Sequence, residues 1–190
     1  MHHVVVESRG PGPAVLLSGG VDSAVVLALL ASDGRDVTTV WIDYGQPAAA
    51  GEREASKAIA SRYGAAWIEL GVAGLVPPAV GEFPGRNDLL VALAAAAAPG
   101  RSVAIGVHAG TGYADCSPSW AEAWQELLTV QHHGAAQLLA PLAGLAKAQV
   151  YALARQMGVP TVLTHSCEAS AVPCGRCSSC ADRRGLDARP

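Results

Sequence analysis

The chain has 190 residues, enough for one domain with its own core. Apolar residues make up 51% and charged residues 15%, the composition of a compact globular protein rather than a disordered one. Thirteen basic against sixteen acidic residues leave a net charge of −3, which offers no basic stripe for nucleic acid, and no apolar run reaches the ~18 residues that would span a membrane.

In chain order, Met1-His2-His3 carries no basic-then-apolar leader pattern. Residues Gly10 to Pro13 read as a turn, and Ala14 to Leu17 as a short buried strand. Ser18-Gly19-Gly20-Val21-Asp22-Ser23 follows, with a helix opening at Asp22 or Ser23 and running to about Ala31. Strand, glycine turn, hydroxyls and helix start in this order form an anion cradle. Glycines let the backbone approach a ligand closely, and the helix start offers unpaired N–H groups and a partial positive charge. An ordinary capped turn needs one such residue, so this stretch is read as binding the phosphates of ATP. Val37 to Ile42 reads as the next strand and ends in Asp43-Tyr44-Gly45-Gln46. Glu52 to Tyr63 reads as a helix stopped at Gly64, and Ala65 to Leu70 as a third strand. The alternation implies a parallel sheet with right-handed crossovers.

Residues Gly71 to Gly85 are expected as loop, Asn87 to Ala98 as helix and Ser102 to Val107 as a fourth strand. A polar loop from His108 to Pro118 leads to a helix from Ser119 to about His132. Its Trp120, Trp124, Leu127 and Leu128 share one face and are expected in the core. Gln137 to Leu142 holds a fifth strand, and Lys147 to Met157 a helix closed by Gly158. No linker splits the chain, so residues 1–190 are read as one domain with 161–190 as its tail. The loops after Leu17, Ile42 and Val107 all follow strands, where an open parallel sheet places its ligands.

Four of the five cysteines, Cys167, Cys174, Cys177 and Cys180, fall within the last 24 residues with spacing C-x6-C-x2-C-x2-C. Four thiolates suit a closed tetrahedral zinc site, which would be structural because it leaves no position for substrate. An iron–sulfur cluster takes the same four ligands, and a redox pair or disulfides are the remaining readings. Cys116 stands apart, either as a buried thiol or as a substrate contact. The cysteine pattern and the missing leader point to a cytoplasmic protein.

Taken together, these stretches resemble the 7-cyano-7-deazaguanine synthase (QueC) family of PP-loop ATP pyrophosphatases. The resemblance rests on Ser18 to Ser23; Asp43-Tyr44-Gly45-Gln46; Pro84-Gly85-Arg86-Asn87; Gly106-Val107 with Tyr113-Ala114-Asp115-Cys116; Pro141-Leu142 with Lys147; Gly158-Val159-Pro160; and Ser166-Cys167 through Cys180. They occur in the family's order over nearly the whole chain. The resemblance implies an α/β fold: an open parallel β-sheet sandwiched by helices, adenine nucleotide alpha hydrolase-like, with a C-terminal zinc knuckle of four cysteines. It implies ATP-dependent conversion of 7-carboxy-7-deazaguanine and ammonia to the nitrile, through an acyl-adenylate and an amide, for queuosine and related bases.

Under that resemblance Ser18, Gly19, Gly20, Val21, Asp22 and Ser23 hold ATP, together with Asp43, Tyr44, Gln46, Arg86 and Asn87. Asp22 is the Mg²⁺ partner, and Ser18, Asp22, Ser23 and Lys147 form the catalytic set. Arg86, Tyr113, Asp115 and Cys116 hold the substrate, and Cys167, Cys174, Cys177 and Cys180 hold Zn²⁺. The family often forms homodimers, with no stable nucleic-acid or membrane partner.

The chain also departs from the pattern. Pro47-Ala48 stands where Arg-His is usual, Lys147-Ala148-Gln149 where Lys-x-Glu is usual, and the loops at Gly71 to Phe83 and His108 to Gly112 are shorter. These departures keep open a paralogue that stops at the amide or joins another amine. They also leave a non-catalytic zinc- and nucleotide-binding module. A tRNA-modifying enzyme with the same loop would want a basic face, which the charge of −3 does not advertise.

Overall fold

The computed structural model describes residues 11–78 and 83–187. The readings of Met1 to His3 and Gly10, and part of the expected Gly71 to Gly85 loop, lie outside the described residues. Among the described residues, five parallel strands form one sheet in the order β3-β2-β1-β4-β5: β1 (Ala14–Leu16), β2 (Thr38–Asp43), β3 (Ala66–Gly71), β4 (Val103–Ala104) and β5 (Leu138–Leu139). Register runs Val15 to Thr39 on one side of β1 and Val15 to Ala104 on the other. The helices are α1 (Val21–Ser32), α2 (Ala49–Arg62), α3 (Arg86–Ala97), α4 (Pro118–Gln131), α5 (Lys147–Gln156) and α6 (Ser178–Asp187).

Alternation along β1 builds two cores, because successive side chains on a strand point to opposite faces. Val15 and Leu17 pack with Val25 and Leu27 of α1, Ile59 of α2 and Val150 of α5. Ala14 and Leu16 pack with Val91 of α3 and Leu128 of α4 on the other face. The result is helix, sheet, helix, as expected from the strand–helix alternation. Strand order reverses between β1 and β4, so a crevice opens there, beyond the C-terminal ends of the two strands.

Several bounds differ from expectation. Helix α1 starts at Val21, with Gly20 as its N-cap and no side-chain cap. Helix α2 starts three residues before Glu52 because the Gln46 carbonyl already accepts from the Ala49 N–H at 3.0 Å. Strand β4 is only two residues long. A Cβ on Gly106 would stand 3.0 Å from Asp22 C and Ser23 N, so the chain just after β4 passes directly against the α1 start. Leu127 is 42% exposed and does not share the buried face of Leu128, so it corrects the expected stripe. Trp120 and Trp124 do pack on the core, and both indole N–H groups donate to Asp88 Oδ1 at 2.6 Å. Helix α6 was not expected, since Ser178 to Asp187 has no apolar period long enough to announce it.

Candidate active site

A cavity of about 620 Å³ opens in the β1–β4 crevice. The loop after β1 forms its floor. Gly19 has φ +86°, and a Cβ there would stand 2.8 Å from Glu52 O and 3.0 Å from Ser56 N, so only glycine lets the loop lie against α2. The Ser18 and Ser23 hydroxyls are 3.3 Å apart, and Ser23 Oγ also donates to the Gly20 carbonyl at 3.0 Å. The loop after β1 and the first turn of α1 thus present two hydroxyls and unpaired N–H groups to the cavity, an arrangement that receives an anion.

Charge is arranged around Asp22. Lys147 Nζ donates to Asp22 Oδ2 at 2.6 Å, and His108 Nε2 lies 4.0 Å from the same oxygen. Lys147 opens α5 and His108 follows β4, so three separate elements converge on one carboxylate. Asp22 Oδ1 is buried without a hydrogen-bond partner. A buried carboxylate oxygen of this kind fits a hard divalent cation, bound directly or through water.

Of the residues expected at the site, Ser18, Gly20, Asp22, Ser23, Tyr44, Gln46, Arg86, Asn87, Tyr113, Cys116 and Lys147 all line this cavity. Gly19 and Val21 support it from behind, Val21 within the core. Asp43 does not line the cavity: its Oδ1 accepts from the Gly45 N–H at 2.9 Å and closes the turn after β2. Asp115 does not line it either. Its Oδ2 accepts from the Asn87 N–H at 3.0 Å, while Asn87 Nδ2 donates to the Asp115 carbonyl at 2.8 Å. The two residues lock the loop after β4 onto the start of α3. Burial pushes the Cys116 thiol above its ordinary range, as suits a packed thiol.

Glu52 is a lining residue that sequence reading missed. Its Oε2 accepts from Gln46 Nε2 at 2.8 Å, and Gln46 also bonds the Ile42 carbonyl and the Tyr44 N–H. Burial pushes the Glu52 carboxyl above the usual carboxylate range, against the downward pull of the Gln46 bond and the Arg86 charge. His108, Glu168, Ser178, Ser179 and Asp182 were missed too. The last four belong to the tail, which sequence spacing had read only as a metal staple.

In the tail, the sulfurs of Cys167, Cys174, Cys177 and Cys180 lie within 4.8 Å of one another, and none is in a disulfide. Sulfurs around a tetrahedral zinc with ~2.3 Å bonds are roughly 3.8 Å apart, so the set fits that ion with a modest closing of side chains. Backbone N–H groups reach three of the sulfurs, Cys174 N to Cys167, Cys177 N to Cys174 and Cys180 N to Cys177, each at 3.4 Å. N–H groups of Arg176 and Cys177 hold the Cys174 thiol down to about 6, while burial pushes Cys180 up to about 11. The knuckle is docked on the loop after β1: the His165 N–H donates to the Gly19 carbonyl at 2.9 Å. Gly51 of α2 makes room, since a Cβ there would stand 2.6 Å from the Ala171 carbonyl.

Comparison with known proteins fits this layout. Residues 13–76 and 78–187 match the family described as queuosine biosynthesis protein QueC. The chain is 33% identical over 199 residues to 7-cyano-7-deazaguanine synthase from Synechococcus elongatus, covering 87% of this chain and 86% of that protein. The 7-cyano-7-deazaguanine synthase from Frankia casuarinae is 35% identical over 207 residues, covering 91% and 88%. Among solved structures, an NH3-dependent NAD synthetase from Campylobacter jejuni superposes with TM-score 0.53 and 17% identity over 83% of this chain and 69% of that one. The NMN synthetase from Francisella tularensis gives TM-score 0.51 and 22% identity over 80% and 63%. These two share the fold.

Proposed function

The chain belongs to the QueC family, and from that premise we propose that it is an ATP-dependent synthase converting 7-carboxy-7-deazaguanine and ammonia to 7-cyano-7-deazaguanine. The observation that carries the reading is the convergence on one cavity of the α1 phosphate loop and the Lys147–Asp22 pair. In the first step the substrate carboxylate attacks the α-phosphorus of ATP, and diphosphate leaves. The α1 N–H groups and the Ser18 and Ser23 hydroxyls receive the charge that grows on the leaving group. Lys147 and Arg86 neutralise the remaining phosphate oxygens. Mg²⁺ held by Asp22 would supply further charge neutralisation at the same oxygens.

Ammonia then adds to the acyl carbon of the adenylate and AMP leaves, giving the amide. The amide oxygen attacks the α-phosphorus of a second ATP and a second diphosphate leaves; loss of AMP and of the two amide protons then gives the nitrile. The four clustered cysteines would hold Zn²⁺ structurally, since all four ligands come from the protein. Clustered unpaired thiols suit a reducing, cytoplasmic setting. A homodimer is part of the proposal by family resemblance alone. A second reading is a synthase that stops at the amide or uses another amine. It draws support from Asp115, whose backbone and carboxylate are committed to Asn87 rather than to the cavity. The test is acid-dependent release of AMP and diphosphate in the presence of ammonium. Release that does not depend on the acid would remove the basis for both readings.

A further inference from the structure

We propose that Glu168, carried into the cavity by the metal knuckle, reads the donor edge of the base; the inference rests on the deazaguanine reading above. A 2-amino-pyrimidinone ring presents a ring N–H and an exocyclic amino group side by side. An ionised carboxylate matches that pair with two parallel acceptors. Among the described residues, the carboxylates lining the cavity are Asp22, Glu52, Glu168 and Asp182. Asp22 is engaged by Lys147 at 2.6 Å inside the phosphate loop. Glu52 is sunk beneath Gln46, which bonds it at 2.8 Å. Asp182 is exposed at the rim.

Glu168 is half-buried like Asp22 and Glu52, but its partners are hydroxyls: its carboxylate accepts from Ser179 Oγ and, at 3.3 Å, from Ser178 Oγ. A carboxylate has about four acceptor positions, so the two serines leave capacity for two more donors. Its neighbour Cys167 is one of the four clustered thiols, and three residues earlier His165 N bonds Gly19 O at 2.9 Å. Glu168 is thereby fixed both to the knuckle and to the phosphate loop, the pre-organisation that recognition of a rigid ring requires.

The experiment compares the wild type with Glu168→Gln, using 7-carboxy-7-deazaguanine and its analogue lacking the 2-amino group. Equilibrium binding is measured by calorimetry and diphosphate release by a coupled assay. The wild type should favour the amino-bearing acid by about 10- to 100-fold, the usual worth of a charged bidentate contact. Glu168→Gln should weaken binding of that acid by a similar factor, abolish the preference and leave the KM for ATP unchanged. Glu168→Ala is the second variant should the amide fail to fold.

Retention of affinity and preference in Glu168→Gln would overturn the proposal even if melting temperature or zinc content fell, since that pattern belongs to a residue that merely caps α6. Loss of the preference in Asp182→Asn instead would also overturn it. Wild type that binds with the expected preference yet releases no diphosphate would leave Glu168 standing and defeat the synthase reading. Binding of neither acid would defeat both.

Discussion

Replacing Lys147 by Met keeps most of the side chain's bulk and removes its charge. In the folded protein Lys147 Nζ sits 2.6 Å from Asp22 Oδ2, with the two side chains 32% and 24% exposed. A charge-assisted hydrogen bond in such a partly buried place contributes about 1.5–3 kcal/mol gross, and partial solvation lowers the net loss to about 1–2 kcal/mol. For a chain of this length that is a fall in melting temperature of about 2–8 °C. The effect on catalysis should be larger. Lys147 lines the cavity where the proposed reaction would develop phosphate charge, and removing one such donor costs about 10²- to 10³-fold in rate. The double variant Lys147→Met with Asp22→Asn should recover part of the stability, because no carboxylate is then left without its cation. It should recover none of the rate. Thermal melts and acid-dependent diphosphate release measure the two arms separately. A rate within about threefold of wild type in Lys147→Met would refute the assignment of this lysine to the reacting phosphates.

Four further outcomes follow from the same geometry. Cys177→Ser removes one of four clustered thiols and should abolish zinc binding in elemental analysis while lowering the melting temperature; well-folded wild type with about no metal would contradict the knuckle reading. Gly106→Ala sets a Cβ 3.0 Å from the α1 start and should weaken ATP binding about tenfold or more; unchanged affinity by calorimetry would show that the α1 start does not hold ATP. Asp88→Ala orphans two half-buried indole N–H groups and should cost about 2 kcal/mol, with a red shift in tryptophan emission; unchanged emission and stability would show that the two bonds do not matter. Glu52 has a raised folded pKa, so its favourable contribution is complete below the ordinary glutamate range and is lost as pH rises through the raised value. Glu52→Gln should therefore gain stability relative to wild type as pH rises above the ordinary glutamate range. Urea melts giving parallel pH profiles would contradict it.

The layers and most strands were legible because the apolar runs at Ala14 and Val37 and the glycine turn at Ser18 are local signals. The loop after β1 was readable as a strand-to-helix turn for the same reason: strand, glycines, hydroxyls and helix start follow one another without a gap. Glu52 was not readable as a lining residue, since on α2 it looks like any exposed helix acid. It lines the cavity because Gly19 packs against its backbone carbonyl and Gln46 bonds its carboxylate, contacts that no local pattern announces. Asp115 and Asp43 sit in motifs that suggested ligand contact; each carboxylate accepts a backbone N–H, and neither residue lines the cavity. Glu168 and Ser179 reach the cavity only because the tail folds back onto Gly19 and Gly51, a long-range contact with no periodic trace in the chain.

The most direct test is mass spectrometry of the purified protein incubated with ATP, Mg²⁺, ammonium and 7-carboxy-7-deazaguanine. The expected products are 7-cyano-7-deazaguanine together with AMP and diphosphate. Amide as the only product would move the chain to the amide-stopping reading, and unchanged acid with no AMP formed would contradict the proposed synthase activity.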